Sequence, residues 1–399
     1  MRLRPYFRGV TMINKDKRYQ VINGDCMALM KECDANTFSA ILSDPPYGLA
    51  YMGSRWDYDV PSVEHFAEML RITKSGGYAF IFGGSRTFHR MAVNMEDAGW
   101  QLRDTMMWLY ASGFPKSLNI SKGIDKHLGL DRETIAHIKV STGEHNTQAI
   151  DKPNSEQAHD FNGYGTGLKP AFEPIIIAMK PMTKTFVKHA IEDGVSGLNI
   201  DGCRIGQDVD LEKVAKDNTV NDHLPLFDAA NQDIQRARWP SNIMQDGSNH
   251  CDAIFGEHSR AFMCSKPSKE EKDRGLDGFK PTNGNEITNR KENSAGANNP
   301  RAGRRGSQYK NTHPTVKPVQ LMAYLATMLK MPNDKSLILD PYCGSGTTLV
   351  ACKHVGIKAV GFELSDEYAA IASARCDLPL EGELEKWRTQ KDDNQLKLF

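Results

Sequence analysis

Apolar residues recur along this chain with two different periods, and the switches between them mark the elements. YQVING from Tyr19 is a short extended run closing on glycine, and MALMKEC after it carries one or two helical turns. SAILSDPPYG holds a second apolar strand, and EHFAEMLRITKSGG spaces its apolar residues like a helix stopped by glycine. YAFIFGG is a third strand, TFHRMAVNMEDAGW a helix and QLRDTMMWLY a fourth strand. Strands that alternate with helices predict a parallel sheet covered on both faces, and the expected fold class is α/β.

From Ala111 to about Asn311 the regularity breaks. Helical stretches are short, Gly, Asn and Pro are frequent, and only PIIIAMKP reads as a solid strand. Pattern returns at HPTVKPVQLMAYLATML, an amphipathic helix begun by proline. SLILDPYCGSGTTLVACKHVG follows as strand, glycine loop, helix and glycine stop, and KAVGFELSDEYAAIASARC as a strand ending on Glu363 and a helix capped by Ser365. The expected division is a leader at 1–18, a first α/β half at 19–110, an inserted module at 111–311, a second half at 312–376 and a tail at 377–399. So long a structureless connection inside one domain is contrary to loop statistics, which is why the insert reads as a module of its own.

Composition narrows the class. The 399 residues are 39% apolar and 25% charged, which suits a globular protein, and their formal net charge of zero means that any basic surface must be local. No apolar run is long enough to span a bilayer and MRLRPYFRGVT lacks the apolar centre of a signal peptide, so a cytoplasmic protein is expected. The eight cysteines are scattered, as reduced thiols would be. Cys203, His250, Cys251, His258 and Cys264 lack the paired spacing of a zinc site, and no metal is expected. Residues 265–310 hold eleven Lys and Arg against six Asp and Glu, and the densest basic cluster among them is Arg301, Arg304 and Arg305. It reads either as a solvated loop or as an arm that contacts phosphates.

Two short stretches carry chemistry. In LILDPYCGSGTT, Gly344 and Gly346 directly follow a strand, where a tight turn and close ligand approach need residues without a Cβ. The helix beginning there turns free N–H groups toward a ligand, and Glu363 ends the next strand where an acid can meet ribose hydroxyls. Leu349 replaces the third glycine of the dinucleotide fingerprint, so a nucleoside cofactor other than NAD fits. Asp340 at the strand tip suits a cationic ligand head. In LSDPPYG, Asp44 or the carbonyl of Pro45 can accept hydrogen bonds from an exocyclic amine while Tyr47 stacks on the ring that bears it, and Pro45 and Pro46 hold both groups rigid. A plain Pro-Pro turn is the alternative for this stretch alone.

Together, SDPPYG and DPYCGSGTT resemble the paired signature of S-adenosylmethionine-dependent DNA amino-methyltransferases, which modify adenine N6 or cytosine N4. The order, amine motif first and cofactor loop roughly three hundred residues later, is similar to the permuted β class, in which a target-recognition region lies between them. NGDC, WLYASGFPKSLNISKGID, LKPAFEPIIIAMKP, LNIDGCRI, RWPSNI and HPTVKP resemble stretches of phage and prophage members.

The resemblance implies a Rossmann-like sheet assembled from both ends of the chain, S-adenosylmethionine as cofactor and double-stranded DNA as partner. Asp44, Pro45, Pro46 and Tyr47 would form the catalytic claw. Asp340, Gly344 and Gly346 would line the methionine end of the cofactor with Tyr342 and Thr347 beside them, Glu363 would bind the ribose, and Asp25 and Cys26 would lie near the adenine. Thr315 and Lys317 would approach the methionine carboxylate. Family members with Asp at the position of Asp44 tend to act on adenine N6 after flipping the base, and cytosine N4 is the alternative. A DNA-binding decoy with an inactive methyltransferase fold is a further alternative, and the intact motifs argue against it. A homodimer is compatible with the resemblance, which does not say whether a partner nuclease exists.

Overall fold

Five parallel strands drawn from the two ends of the chain form one side of a nine-stranded sheet. The structure is a computed structural model that describes residues 13–14, 17–49, 57–110, 113, 117–139, 147–204, 239–246, 262–283, 286 and 308–379. Its elements in chain order begin with β1 (Tyr19–Asn23), α1 (Cys26–Glu32), β2 (Phe38–Ser43), α2 (Val63–Ile72), β3 (Thr73–Phe82), α3 (Phe88–Asp97) and β4 (Gln101–Leu109). Then come α4 (Ile120–His127), β5 (Thr134–Lys139), β6 (Thr147–Asp151), α5 (Glu156–Asp160), β7 (Phe172–Met179), α6 (Phe186–Glu192), β8 (Ile243–Gln245), β9 (Phe262–Met263) and α7 (Lys269–Asp273). The last are β10 (Thr282–Asn283), β11 (Gln308–Tyr309), α8 (Val319–Met328), β12 (Leu337–Asp340), α9 (Thr347–His354), β13 (Lys358–Glu363) and α10 (Asp366–Asp377).

The central sheet runs β1-β13-β12-β2-β3-β7-β4-β8-β9. Alternation along β2 explains its two covered faces: Ala40 and Leu42 enter a core with Phe80, Phe82, Leu321 and Leu325, whereas Ile41 enters one with Ile81, Phe66, Met69 and Met91. Helix α8 therefore lies on one face and α2 and α3 on the other. Truncating a fully buried residue such as Leu325 to alanine should cost about 2–5 kcal/mol. The expected amphipathic helix is in fact buried nearly all round, since Val319, Leu321, Met322, Ala323, Tyr324, Leu325, Ala326 and Met328 are all inaccessible.

Three expectations need correction. The sheet is mixed, because β7 runs antiparallel to both β3 and β4. The inserted module is smaller than 111–311, because Phe172–Lys280 belongs with the sheet unit and only Ala111–Ala171 and Pro281–Tyr309 form a second one. Burial explains this: Pro174–Met179 of β7 are all inaccessible, and an apolar run covered on both faces is stable only inside a sheet. Helix α2 ends at Ile72 rather than at the glycines, and β3 starts at Thr73, whose hydroxyl donates to Met69 O. Gly77 lies within β3 because a Cβ there would stand 2.6 Å from Ser39 O.

The second unit holds α4, α5 and two short hairpin sheets, β5-β6 and β10-β11. Arg132 ties it together by donating to Asp125 at 2.6 Å and to Asp151 at 2.9 Å. Arg301, Arg304, Arg305, His250, Cys251 and His258 lie outside the described residues. Among the described residues no helix is long and apolar enough to cross a membrane.

Candidate active site

The carboxyl ends of β2 and β12 are locked side by side. Ser43, the last residue of β2, donates its hydroxyl to Asp340 Oδ1 at 2.5 Å, and Asp340 also accepts from Thr348 Oγ1 at 2.5 Å and from the Tyr342 amide at 3.1 Å. Asp340 is 2% exposed, and burial raises its carboxyl to about 6 against the pull of those three donors. Its oxygens face inward to this network, so it joins two strands and the helix after them.

One residue beyond Ser43 stands Asp44. Its Oδ1 accepts from the Tyr47 hydroxyl at 2.7 Å, and its Oδ2 lies 2.5 Å from Lys317 Nζ. A second carboxylate completes the cluster, with Glu173 Oε2 at 3.3 Å from both the Tyr47 hydroxyl and Lys317 Nζ. The turn is pinned from behind by the buried Asp57, whose Oδ1 accepts from the backbone of Tyr47 at 2.6 Å and of Gly48 at 3.1 Å. Burial raises Asp44 above the usual carboxylate range while Lys317 opposes it. Burial would lower Lys317, but Asp44 and Glu173 together hold it above its ordinary value. Burial and the two adjacent acids push Tyr47 well up, so it stays a phenol that donates. Lys317 also lies 5.4 Å from the centre of the Tyr47 ring and 5.1 Å from that of Phe82.

The glycine loop stands after β12. Gly344 and Gly346 have φ of +54° and +81°, and an added Cβ would stand 2.7 Å from His313 Nε2 at the first and 2.9 Å from Ala372 Cα at the second. No side chain caps the first turn of α9. Arg375, 5% exposed, holds the loop from beneath by donating to Ser345 O at 2.7 Å, Ser345 Oγ at 3.0 Å and Thr347 Oγ1 at 3.1 Å. At the tip of β13, Glu363 accepts from the amides of Gly344 at 2.7 Å and Ser365 at 2.8 Å, and burial raises its carboxyl. Gly24 N donates to Glu363 O at 2.8 Å, which brings the NGDC turn to the same strand tip. A backbone cradle that excludes side chains, an uncapped helix and a fixed acid on the next strand fit a ligand with hydroxyls and a nucleoside.

The family model for DNA methylases of the N6/N4 methyltransferase type matches residues 38–374. This chain belongs to the DNA methylase family. S-adenosylmethionine is the methyl donor of that family. Among curated relatives, type II methyltransferase M.HindIII of Haemophilus influenzae is 21% identical over 89% of this chain and 94% of its own length. M.HpaI of Haemophilus parainfluenzae is 37% identical over 18% of this chain, a match that spans 22% of the M.HpaI chain. Among solved structures, an M1.HpyAVI-SAM complex is 15% identical, with a TM-score of 0.41 over 90% of this chain and all of the other.

In this methylase chain Asp44, Tyr47 and Lys317 stand together, and Asp340, Tyr342, Gly344, Gly346, Thr347 and Glu363 surround the adjoining loop. The Lys317 ammonium lies on two carboxylates of the protein itself, Asp44 and Glu173. Thr315 N donates to His313 Nδ1 at 3.4 Å. Asp25 caps α1 by accepting from Ala28 N at 2.9 Å, and burial pushes the Cys26 thiol up to about 11. Trp108 is a packing residue whose Nε1 donates to Cys264 O at 2.9 Å. Glu173, Asp57 and Arg375 were not anticipated, whereas His313 belongs to the HPTVKP stretch. Sequence gave one signal for Glu173, a carboxylate at the start of an otherwise wholly apolar strand, and none for Asp57.

Proposed function

We propose that this chain transfers the methyl group of S-adenosylmethionine to N6 of adenine in double-stranded DNA, with the target base flipped out of the duplex beside Tyr47. The observation that carries the reading is the Ser43–Asp340 hydrogen bond, which holds the amine-binding motif and the glycine loop side by side at one sheet edge. The cofactor supplies an electrophilic methyl on a sulfonium. Gly344 and Gly346 would give it backbone room, Glu363 would accept from ribose hydroxyls, and Asp25 and Cys26 would lie near its adenine. Tyr342 and Thr347 line the same loop.

An exocyclic amine conjugated into a base is a poor nucleophile. Asp44 and the carbonyl of Pro45 would accept its two N–H groups, which would orient its lone pair and increase its electron density for attack on the methyl donor. Tyr47 gives a face for the base to stack on, and Pro45 and Pro46 keep ring and acceptors in register at small entropic cost. Flipping costs a few kcal/mol of lost stacking, so contacts to phosphate must offset it, and Arg301, Arg304 and Arg305 are proposed for that role. Asp at position 44 is what favours adenine, and cytosine N4 is the reading that a different modified base would install.

Unmethylated plasmid incubated with the protein and S-adenosylmethionine, then digested to nucleosides for mass spectrometry, tests this. N6-methyldeoxyadenosine is expected. N4-methyldeoxycytidine would overturn the choice of base, and neither product would overturn the reading.

A further inference from the structure

Both oxygens of Asp44 already accept from protein donors, and a base amine must compete with those donors for them. The two oxygens are held by the Tyr47 hydroxyl at 2.7 Å and the Lys317 ammonium at 2.5 Å. Glu173 Oε2 addresses the same two donors, each at 3.3 Å. Resting on the methyltransferase reading above, we infer that Glu173 is a positioning residue for the transfer: it is the alternative seat for the Tyr47 hydroxyl and the Lys317 ammonium, and so releases Asp44 to the incoming amine.

The topology puts it there for a reason. Strand β7 runs opposite to β3 and β4, so its first residues lie at the sheet edge where those strands end. Glu173 is thus carried to Asp44 on the rigid centre of the sheet, paired with Trp108 in register and followed by six inaccessible residues. A carboxylate at such a place costs stability unless it is paired, and here Lys317 and the Tyr47 hydroxyl pair it.

Counting protons gives the role. Tyr47 has one hydroxyl hydrogen, which can go to Asp44 or to Glu173 but not fully to both. Lys317 is one cation between two anions. Without Glu173 the ammonium would settle on Asp44 alone, and the Tyr47 hydrogen would have no other acceptor among these four groups. Asp44 would then be a poorer acceptor for the amine. The charged and titratable groups facing the pair are Tyr47, Lys317, Tyr110, Lys266 and, beyond Asp44, Asp340.

The test is steady-state methyl transfer to DNA across pH for wild type and Glu173→Gln, with S-adenosylmethionine affinity and melting temperature measured alongside. Glu173→Gln should lower kcat by about ten- to a hundredfold, because an uncharged amide oxygen is a weaker seat for the hydroxyl and the ammonium than a carboxylate, with cofactor affinity unchanged. It should also move the acid limb of the profile to lower pH, because removing one of two anions leaves Lys317 wholly to Asp44; a merely structural role would lower activity without moving that limb. In a Tyr47→Phe background the same substitution should cost less, since the two act on one hydrogen. Wild-type kcat and an unmoved acid limb in Glu173→Gln would overturn the role and leave the methyltransferase reading standing. A wild type that moves no methyl would overturn both. If Glu173→Gln does not fold, Glu173→Asp decides: it keeps the charge and withdraws the oxygen, so kcat falls while the acid limb stays, and a wild-type kcat there overturns the role.

Discussion

Lys317 and Asp44, 273 residues apart in the chain, meet with Nζ 2.5 Å from Oδ2 at the carboxyl edge of the sheet. Their side chains are 9% and 17% exposed, so the pair is held largely out of water. Removing one partner of such a pair costs about 3–5 kcal/mol, because the other charge stays buried without compensation. Here the remaining charges are two acids, Asp44 and Glu173.

Lys317→Met should therefore raise the proton affinity of Asp44, since its ionised form loses the nearby cation and still faces Glu173. The acid limb of the activity profile moves to higher pH, opposite in direction to the shift expected for Glu173→Gln, and kcat/KM falls by about a hundredfold. A pH series of methyl transfer rates measures both, and an unmoved limb would mean that Lys317 does not set the charge of Asp44.

Gly346→Ala should weaken cofactor binding and stability together. A φ of +81° costs an L-residue about 1–2 kcal/mol, and the new Cβ would also meet Ala372 Cα at 2.9 Å, where backbone cannot give way cheaply. Gly129→Ala is the control, because its φ of +69° carries the same strain with nothing within 4 Å of the new Cβ. Calorimetric melting should show the larger loss at Gly346, and only Gly346→Ala should change S-adenosylmethionine affinity.

His313 should make the protein sensitive to acid. Burial, with Lys317 and Arg375 nearby, lowers its ring to about 3 from an ordinary 6.5, so between those values the unfolded chain binds the proton that the folded one refuses. Its contribution to stability is complete above 6.5 and is lost as pH falls toward 3. The melting temperature of His313→Gln should fall less steeply over that range than that of wild type, and parallel curves would refute the assignment.

Arg301, Arg304 and Arg305 should set the salt dependence of DNA binding. Each phosphate contact removed lowers the slope of log K against log salt by about 0.9. Replacing all three by glutamine should weaken binding across sequences and flatten that slope; an unchanged slope would place the phosphate contacts elsewhere.

The elements nearest the chemistry were the most legible in the sequence. Strand-borne motifs such as LSDPPYG and LILDPYCGSG announce themselves because an apolar run ends abruptly in residues with a special backbone or charge. What pattern could not give was direction and partnership. PIIIAMKP is legible as a strand, yet nothing local says that it runs antiparallel between β3 and β4, and that takes Glu173 to the Tyr47 and Lys317 side chains that Asp44 also holds. Lys317 stands out within HPTVKP, but the two protein acids it meets, Asp44 and Glu173, come from segments far away in the chain. Asp57 and Arg375 work through backbone atoms of other loops, which leaves no periodic trace.

The most direct measurement is transfer of labelled methyl from S-adenosylmethionine to plasmid DNA by wild type and Asp44→Ala, with cofactor binding to each protein followed by calorimetry. The account predicts label on DNA with wild type, none with Asp44→Ala, and cofactor affinity retained in both. Wild-type rates of transfer by Asp44→Ala, or no transfer by either protein while both bind DNA, would contradict it.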